Sequence, residues 1–444
     1  MMRLTLSRIA ELCDGRLIGH DAPVQGMSHD TRTLRPGNLF VALAGENSDG
    51  HRFVAAAANA GAGGALVARP VDSPPAQVVV DNVLQAMGQV AAAWRRELSV
   101  RIAGITGSNG KTTVKDMLAA ICSRIAPSLS TGGNYNNEIG VPLTLARLAP
   151  EHRYAIIEMG ASQSGDIRYL ASLAEPEVGI VTNAAAAHLE GFGSLEGVAR
   201  TKGEMFEALK PGGTAIINRD DTFYPLWRDM AGHCSRLTFG LDAEADVRAE
   251  MSPGGVKLQT PSGTAELRLP LPGRHNLLNA LAATAAGLAL EVELANIVAA
   301  LTEVRSPPGR LQMLTSRSGA RLLDDTYNAN PASLYAGLEV LCEMEGEPWL
   351  VLGDMAELGA DAERLHAEMG QTAADLGVRR LLTCGPISRA ASAAFGLGAR
   401  HFDQQIELIK FLDSRLSPDI CCLVKGSRSM AMERVVHALV GEVD

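Results

Sequence analysis

The sequence predicts an α/β protein built from three units, because short apolar runs typical of buried strands alternate with helical segments along most of the chain. Of the 444 residues, 46% are hydrophobic, only 4% are aromatic and 45 are glycine, a composition typical of α/β proteins with closely packed helices. A chain of this length exceeds one ordinary hydrophobic core. We therefore expect a small N-terminal α/β module followed by two larger sheets that carry helices on their faces.

The first unit covers residues 1–82 and reads as a small module around an Ala-rich helix. The turn-rich segment 69–76 contains three prolines and helps to mark its end. A module of this kind is suited to holding a substrate. Its predicted strands occupy residues 39–44, 64–67 and 77–80.

The second unit covers residues 83–310 and alternates strand with helix, which implies a mostly parallel sheet with ligands at the carboxyl ends of its strands. The segment 305–310 contains two prolines and breaks every regular pattern, so we interpret it as a linker. The predicted strands occupy residues 102–105, 154–158, 178–183 and 214–218.

The third unit, residues 311–444, repeats the alternation and predicts a second doubly wound, Rossmann-like sheet. Polar residues gather at the ends of its strands, in segments 324–331, 353–359 and 425–428. A purely structural module has little reason to collect them there. The predicted strands occupy residues 321–325, 349–353, 379–384 and 419–425.

Charge and cysteine content exclude several classes of function. The formal net charge is −10 and Lys and Arg form no cluster, which argues against a nucleic-acid partner. The seven cysteines are odd in number and lack metal-ligand spacing, so we expect reduced thiols and a reducing compartment, the cytoplasm by default. No apolar run approaches the length of a membrane span, and we expect no membrane insertion.

A glycine-rich loop predicts a nucleoside triphosphate site. Residues 107–113 read Gly-Ser-Asn-Gly-Lys-Thr-Thr and stand between a predicted strand and an amphipathic helix at 114–121. The strict P-loop pattern fails because position 105 is Ile, but the shorter Gly-x-x-Gly-Lys-Thr form has the required strand, loop and helix context. In that context a phosphate site is favoured over a chance glycine turn. The candidate nucleotide-binding residues are Gly107, Ser108, Asn109, Gly110, Lys111, Thr112 and Thr113.

Within this loop, Lys111 would reach the β- and γ-phosphates and the Thr112 hydroxyl would help to hold Mg²⁺. Glu158 ends a hydrophobic strand, where a carboxylate is otherwise poorly placed, so it is a candidate Mg²⁺ ligand. The alternative is a helix-capping acid. His188 follows the next strand, and a lone His among apolar neighbours is more often packed than ligating.

Four further residues each have two possible roles. Lys202 is predicted at the start of a helix, and from charge alone a solvated lysine is the commoner role. Asn276 and Asn279 precede an Ala-rich helix predicted at 280–290, where their amides could cap that helix or bond an adenine edge. Arg310 is either a linker charge or a phosphate clamp.

Taken together, these motifs resemble the Mur ligase family, the ATP-dependent amide-bond ligases of peptidoglycan precursor synthesis. The agreement extends over nearly the whole chain, and six or seven separated motifs in one order are far more specific than any single motif. The residues that carry the resemblance are Thr106–Thr113, Glu158 with Met159 and Gly160, Asn183 with His188, Lys202 with Gly203 and Glu204, His275 with Asn276 and Asn279, Gly309 with Arg310, and Asp325.

Three details are similar to the family member that adds the last dipeptide of the precursor. They are segments 28–32 with 37–43, 133–142, and 324–331 followed by 353–359. The resemblance implies a UDP-MurNAc-tripeptide and D-alanyl-D-alanine as substrates, ATP and Mg²⁺ as cofactors, and a monomer. Whether the third peptide residue is meso-diaminopimelate or lysine stays open. The alternatives are a sibling ligase that adds a diamino acid, a folylpolyglutamate synthase, and a P-loop switch protein.

The resemblance also implies roles for individual residues. The catalytic set is Lys111, His188, Lys202 and Arg310, and the metal-binding set is Thr112, Glu158, His188 and Lys202, where the matching lysine is carbamylated in several members. Asn276 and Asn279 would contact adenine, Asp325 the ribose, and Arg310 the nucleotide phosphates. The residues implied to contact substrate are Ser28, Thr31, Arg32, Asn134, Asn136, Asn137, Asn328, Lys425, Ser427 and Arg428.

Overall fold

The computed structural model describes residues 1–45, 48–72, 75–185, 192–252 and 255–440. In these ranges the chain forms three α/β units, as the sequence predicts. None of the helices described there is long and apolar enough to cross a membrane. His188, one of the predicted catalytic and metal-binding residues, lies outside the described residues.

The N-terminal unit contains a five-stranded sheet and a two-stranded antiparallel sheet. The five strands are, in spatial order, Arg16–Ile18, Gln77–Val79, Gly64–Val67, Leu39–Val41 and Met27–Ser28, and the pair is Arg3–Thr5 with Pro23–Gln25. The helices of this unit are Leu6–Leu12, Val54–Asn59 and the 3₁₀ helix Gly50–Phe53.

The central unit is a six-stranded sheet in which every pair of neighbouring strands is parallel. A three-stranded antiparallel sheet, which the sequence analysis did not predict, is attached to it. The parallel strands are, in spatial order, Ser235–Phe239, Thr214–Asn218, Val178–Val181, Arg101–Thr106, Tyr154–Glu158 and Ser128–Ser130, and the antiparallel ones are Arg248–Ser252, Gly255–Thr260 and Gly263–Leu267.

The helices around the central sheet follow the alternation expected of a parallel fold. The helix Lys111–Ser123 begins directly after the glycine-rich loop and packs against the Ala-rich helix Arg274–Ala289. The helices described here are Val83–Arg96, Lys111–Ser123, Gly140–Leu145, Asp166–Ala174, Leu195–Glu207, Tyr224–Met230, Arg274–Ala289 and Leu294–Glu303.

The C-terminal unit is a second six-stranded sheet, in which only the edge strand Gln312–Thr315 runs antiparallel to its neighbour. Its strands are, in spatial order, Gln312–Thr315, Arg321–Asp325, Ile420–Lys425, Glu347–Gly353, Arg380–Cys384 and Ala399–Phe402. Its helices are Pro331–Glu343, Ala362–Asp375, Arg389–Phe395, Gln405–Asp413 and Glu433–Val440, with 3₁₀ helices at Gly359–Asp361 and Arg428–Met430.

The central strand Arg101–Thr106 shows why the sheet is buried on both faces. Successive side chains of a strand point to opposite faces, and here Ile102 joins the apolar cluster on one face whereas Ala103 and Ile105 join the cluster on the other. All three are completely buried. A parallel sheet covered on both faces therefore appears in the sequence as a continuous apolar run.

Two predictions about helices were wrong in their limits. Lys202 lies well inside the helix Leu195–Glu207 rather than at its start. The helix predicted at 280–290 begins earlier, at Arg274, so that Asn276 and Asn279 belong to its first two turns. Residues 304–311 contain no helix or strand, in agreement with the predicted linker. The domain limits at residues 82 and 310 stay predictions.

His366 bonds the main chain just after the strand Glu347–Gly353 in the C-terminal unit. Its ring is completely buried, Nε2 accepts the Met355 N–H at 2.9 Å, and Nδ1 faces the Ala362 carbonyl oxygen at 2.7 Å. Because Nε2 accepts, the ring is neutral with its proton on Nδ1. Burial lowers the pKa of His366, although the Ala362 carbonyl and Asp354 act in the opposite direction.

We expect His366→Gln to reduce the acid sensitivity of folding. Because the folded-state pKa is below the unfolded value, the unfolded chain binds the extra proton first, and stability conferred by this site falls as the pH drops below about 6.5. Urea unfolding at pH 7.5 and pH 5.5 measures the difference. The exposed His20 provides a control substitution, His20→Gln. Identical pH dependence in the His366→Gln variant and the native chain would contradict the argument.

Candidate active site

The glycine-rich loop is held in shape by the end of the neighbouring strand. The Ser108 N–H donates to the Asn183 carbonyl oxygen at 3.0 Å and the Asn109 N–H donates to Asn183 Oδ1 at 2.9 Å. Gly107 has φ of +143° and approaches Thr182 so closely that a Cβ would lie 1.9 Å from its Oγ1. The loop is therefore preorganised by contacts that leave no room for a side chain at its first position.

Lys111 folds back over this loop. Its Nζ donates to the carbonyl oxygens of Gly107 at 2.7 Å and Ser108 at 3.1 Å. Burial lowers the pKa of Lys111, the Glu158 carboxylate raises it in part, and Arg310 lowers it further. Its ammonium group thus lies at the N-terminus of the helix Lys111–Ser123, where backbone N–H groups also favour an anion.

Glu158 is a buried carboxylate whose two oxygens accept from neutral side chains. Oε2 accepts the Thr112 hydroxyl at 2.9 Å and Oε1 accepts the Asn136 side-chain amide at 2.8 Å. The Glu158 N–H donates to Thr131 Oγ1 at 3.0 Å, and only 2% of the residue is exposed. This places Glu158 in a hydrogen-bonded site inside the cavity. The helix that follows its strand, Asp166–Ala174, has Gly165 at its N-cap, so the interpretation of Glu158 as a helix-capping acid was wrong.

The donor set around Glu158 fits Mg²⁺. Magnesium is held in nucleotide sites by one or two carboxylates together with phosphate oxygens and water, and here a carboxylate and the Thr112 hydroxyl lie side by side at the phosphate loop. The part of the chain that the structure describes contains no group of three or more His, Cys, Asp or Glu residues suited to a metal.

Lys202 is almost completely buried, with 3% of the residue exposed, and its Nζ lies 5.3 Å from the centre of the Phe192 ring. Burial and, to a smaller extent, nearby Lys111 lower its pKa, and Asp166 and Glu204 raise it, so that the pKa is about 7. The interpretation as a solvated lysine was wrong. This amine loses its proton far more easily than an ordinary lysine.

Arg310 connects the linker to the phosphate loop. Its Nη2 donates to Thr112 Oγ1 at 2.9 Å, and its guanidinium lies 4.1 Å from the centre of the Tyr327 ring. Arg310 was interpreted either as a linker charge or as a phosphate clamp. Its position beside the phosphate loop agrees with the second interpretation.

The C-terminal unit adds an ion pair to the same cavity. Lys425 Nζ pairs with Asp325 Oδ2 and donates to the Asn328 carbonyl oxygen at 3.0 Å. Asp325 Oδ1 accepts the Leu311 N–H at 3.2 Å. Lys425 is 2% exposed, so its charge is compensated by Asp325 inside the protein.

Asn276 and Asn279 lie at the other end of the loop. Asn276 Nδ2 donates to the Pro272 carbonyl oxygen at 2.7 Å, and neither side chain caps the helix, which begins after Gly273 without a side-chain cap. The adenine contact therefore stays a prediction for both. His275 was not predicted as a site residue, although it is half-buried and lines the same cavity. Partial burial lowers its pKa, opposed by Asp325.

One cavity of about 630 Å³ collects most of the predicted residues. Four further lining residues were given no role by the sequence analysis: Asp166 and Tyr169, which belong to no quoted motif, and Glu138 and Asn330, which lie in the quoted segments 133–142 and 324–331. The predicted residues that line it are the whole loop Gly107–Thr113, Asn136, Asn137, Glu158, Lys202, Asn276, Asn279, Arg310, Asp325, Asn328 and Lys425.

Other predicted substrate residues lie outside this cavity. Ser28 lines a second cavity of about 200 Å³ between the N-terminal and central units, whereas Thr31 and Asn134 line neither cavity. The Arg32 side chain pairs with Asp30. In the C-terminal unit, Ser427 Oγ accepts the Ala356 N–H at 2.6 Å and Arg428 pairs with Glu433. Roles of these residues in binding stay predictions.

Family comparison agrees with this arrangement. Three family models match: "Mur ligase family, catalytic domain" at residues 23–101, "Mur ligase middle domain" at 105–287, and "Mur ligase, glutamate ligase domain" at 309–428. The chain belongs to the Mur ligase family, as the sequence motifs predict. It is therefore an ATP-dependent amide-bond ligase.

Individual relatives narrow the comparison. The UDP-N-acetylmuramoyl-tripeptide–D-alanyl-D-alanine ligase of Escherichia coli strain K12 is 45% identical, and the match covers 99% of each chain. The Bacillus subtilis ligase of the same name is 34% identical, again over 99% of each.

Solved structures of similar proteins show the same fold. MurF from Acinetobacter baumannii has a TM-score of 0.91 at 35% identity and covers 98% of each chain. The MurF ligase from Thermotoga maritima in complex with ADP has a TM-score of 0.83 at 26% identity and covers 93% of this chain and 96% of its own. The likeness therefore extends over all three units.

We expect Gly110→Ala to weaken both folding and nucleotide binding. Gly110 has φ of +81°, and a Cβ there would lie 2.4 Å from Asn279 Oδ1, so alanine adds a steric clash to a left-handed strain of about 1–2 kcal/mol. Gly212→Ala is the matched control, because Gly212 has φ of +90° with nothing within 4 Å of the added Cβ. Urea unfolding and ATP titration compare the two. Equal losses of stability in both variants would mean that the Asn279 contact is unimportant.

Proposed function

We propose that this chain uses ATP to join D-alanyl-D-alanine to a UDP-N-acetylmuramoyl-tripeptide, the last addition to the cytoplasmic peptidoglycan precursor. One observation carries the proposal: a single cavity holds the phosphate loop, the buried carboxylate Glu158, the buried amine of Lys202, an arginine from the linker and an aspartate from the third unit. The relatives that match over the full chain are named for the same reaction.

The chemistry begins with activation of the tripeptide carboxylate. A carboxylate oxygen attacks the γ-phosphorus of ATP, and the bond between the γ-phosphorus and the bridging β-phosphate oxygen breaks. The products are ADP and an acyl phosphate. The amine of D-alanyl-D-alanine then attacks the carbonyl carbon, loses a proton, and expels inorganic phosphate. The first step brings two anions together, so positioning and neutralisation of charge carry most of its catalysis.

The ATP phosphates are assigned to the loop Gly107–Thr113. The loop and Lys111 line the cavity at the N-terminus of the helix Lys111–Ser123, an arrangement that favours phosphate. Asn276 and Asn279 are assigned to adenine and Asp325 to the ribose, by resemblance and because all three line the same cavity.

Arg310 completes the cationic side of the site. Arg310 bonds the Thr112 hydroxyl in the protein described here, which keeps its guanidinium beside the loop and ready to contact the transferred phosphoryl group. His188 is assigned a catalytic role on the family resemblance alone, since it lies outside the described residues.

Mg²⁺ is assigned to Thr112 and Glu158, with His188 and Lys202 as further members of the set. When bound, the ion screens the negative charge of the transferred phosphoryl group and of the carboxylate. Glu158 supplies a buried carboxylate with neutral hydrogen-bond partners, and Thr112 supplies a hydroxyl in the loop.

Carbamylation of Lys202 is proposed on the family resemblance, and its lowered pKa supports the proposal. The neutral amine adds to carbon dioxide and releases a proton, which converts a cation into an anion that could bind a metal. A pKa of about 7 leaves much of the amine neutral at pH 7.5 to 8. ¹³C-labelled bicarbonate should give a carbamate signal in the nucleotide-bound enzyme that disappears in Lys202→Arg. An unmodified Lys202 in that complex rejects the assignment.

Five of the residues proposed to contact substrate line one of the two cavities, and that location supports their assignment. Asn136, Asn137, Asn328 and Lys425 line the main cavity and Ser28 the smaller one. Thr31, Arg32, Asn134, Ser427 and Arg428 are assigned on resemblance only. The functional domains are proposed at 1–82, 83–310 and 311–444. A monomer without membrane insertion is proposed as well, and its seven free thiols support a reducing, cytoplasmic setting.

The proposed reaction is tested by phosphate release. We expect release to require ATP, the UDP-tripeptide and D-alanyl-D-alanine together. Release with a UDP-dipeptide and a free diamino acid would identify a sibling ligase instead, and hydrolysis without any amine would identify a nucleotide switch.

We expect Lys111→Ala to lower kcat/KM for ATP by about 10²- to 10³-fold, the range for removal of one electrostatic group from a developing anion. Steady-state ligation measures it. Lys257→Ala is the control, because Lys257 is an exposed lysine of the antiparallel sheet. Full ligation by Lys111→Ala would contradict the role given to this lysine.

A further inference from the structure

A hydrogen bond between two asparagines links the phosphate loop to the third unit. Asn330 Nδ2 donates to Asn109 Oδ1 at 2.8 Å, across 221 positions of sequence. Asn109 precedes Gly110, which caps the helix Lys111–Ser123, and Asn330 caps the helix Pro331–Glu343. The bond therefore joins the N-termini of two helices from different units.

The Asn330 side chain has one orientation. Its Oδ1 accepts the Ser333 N–H at 2.9 Å, and the Ser333 hydroxyl accepts the Asn330 N–H at 3.1 Å, which forms a capping box. Because the amide oxygen is committed to the cap, the NH₂ group must point away from the helix. That group is the one that reaches Asn109.

The main chain of Asn109 is equally fixed. Its N–H donates to Asn183 Oδ1 at 2.9 Å, and its carbonyl oxygen accepts from Thr182 Oγ1 at 2.6 Å and from Asn183 Nδ2 at 3.1 Å. Only the side chain of Asn109 is directed to the third unit. The asparagine pair is thus anchored firmly at both ends, which allows one bond to set the distance between the two helices.

The helix that Asn330 caps contributes directly to the cavity wall. Ala332, Ser333 and Ala336 line the cavity that the loop also lines. A second link, from Arg310 to Thr112, lies nearby. A shift of the third unit would move this wall, and with it the space in which amine and acyl phosphate meet.

We propose that Asn330 is a positioning residue that registers the third unit against the phosphate loop through Asn109. The inference rests on the proposed ligation, since it concerns the placement of its second substrate. Asn330 touches the loop rather than the reacting atoms, so its loss should weaken use of the dipeptide more than binding of ATP.

Asn330→Ser tests this directly. Serine accepts the Ser333 N–H at the cap but is too short to reach Asn109. We expect unchanged thermal stability, an ATP dissociation constant within about twofold of the native value, and kcat/KM for D-alanyl-D-alanine lowered about fivefold, the loss of one neutral hydrogen bond. A variant with native kcat/KM would overturn the proposal.

A double-mutant cycle separates this role from a general structural one. If the two side chains act through their bond, Asn109→Ala combined with Asn330→Ser should be no slower with the dipeptide than Asn109→Ala alone. Losses that multiply would overturn the proposal, because they would show that the two residues act independently.

Small-angle X-ray scattering provides a readout that does not need turnover. With a non-hydrolysable ATP analogue and the UDP-tripeptide, we expect Asn330→Ser and Asn109→Ala to have a larger radius of gyration than the native chain. Should Asn330→Ser fail to fold, Asn109→Ala is decisive, since it leaves the cap intact; a native radius in that variant would overturn the proposal. Absence of ligation by the native chain would instead remove the proposed function.

Discussion

The site depends on gathering positive charge where water is scarce. Lys111, Lys202 and Arg310 all line one cavity. Lys111 lowers the pKa of Lys202, and Arg310 lowers the pKa of Lys111. The native fold therefore contains a repulsion that binding of a triphosphate relieves, which gives nucleotide binding part of its driving force.

This charge is divided among units of the chain. Lys111 and Lys202 belong to the central unit, Arg310 to the linker, and Lys425 to the third unit, where Asp325 compensates it. Because the cavity wall comes from separate sheets, the arrangement of units decides how completely an acyl phosphate is shielded from water. The same division explains why the contacts of the linker are as relevant to chemistry as those of the loop.

Most of the fold could be predicted, because strands buried on both faces leave continuous apolar runs; the strand Thr214–Asn218 was predicted to the residue. The sheet containing Arg248–Ser252 was missed because its strands are largely exposed and carry no apolar run. Within the site, the loop was visible in local sequence, whereas Asn330 was not, since its partner is 221 residues away. The burial of Lys202 was also invisible, because charge alone predicts a solvated side chain.

The central claim is that the peptide carboxylate takes up the terminal phosphoryl group of ATP inside this cavity. Oxygen-18 placed in both oxygens of the tripeptide's terminal carboxylate tests it most directly, with mass analysis of the inorganic phosphate released during ligation. The account predicts that each phosphate carries a single labelled oxygen, because the bond between the carbonyl carbon and that oxygen breaks when the amine attacks. Phosphate without label, formed while the amide bond is made, would contradict it.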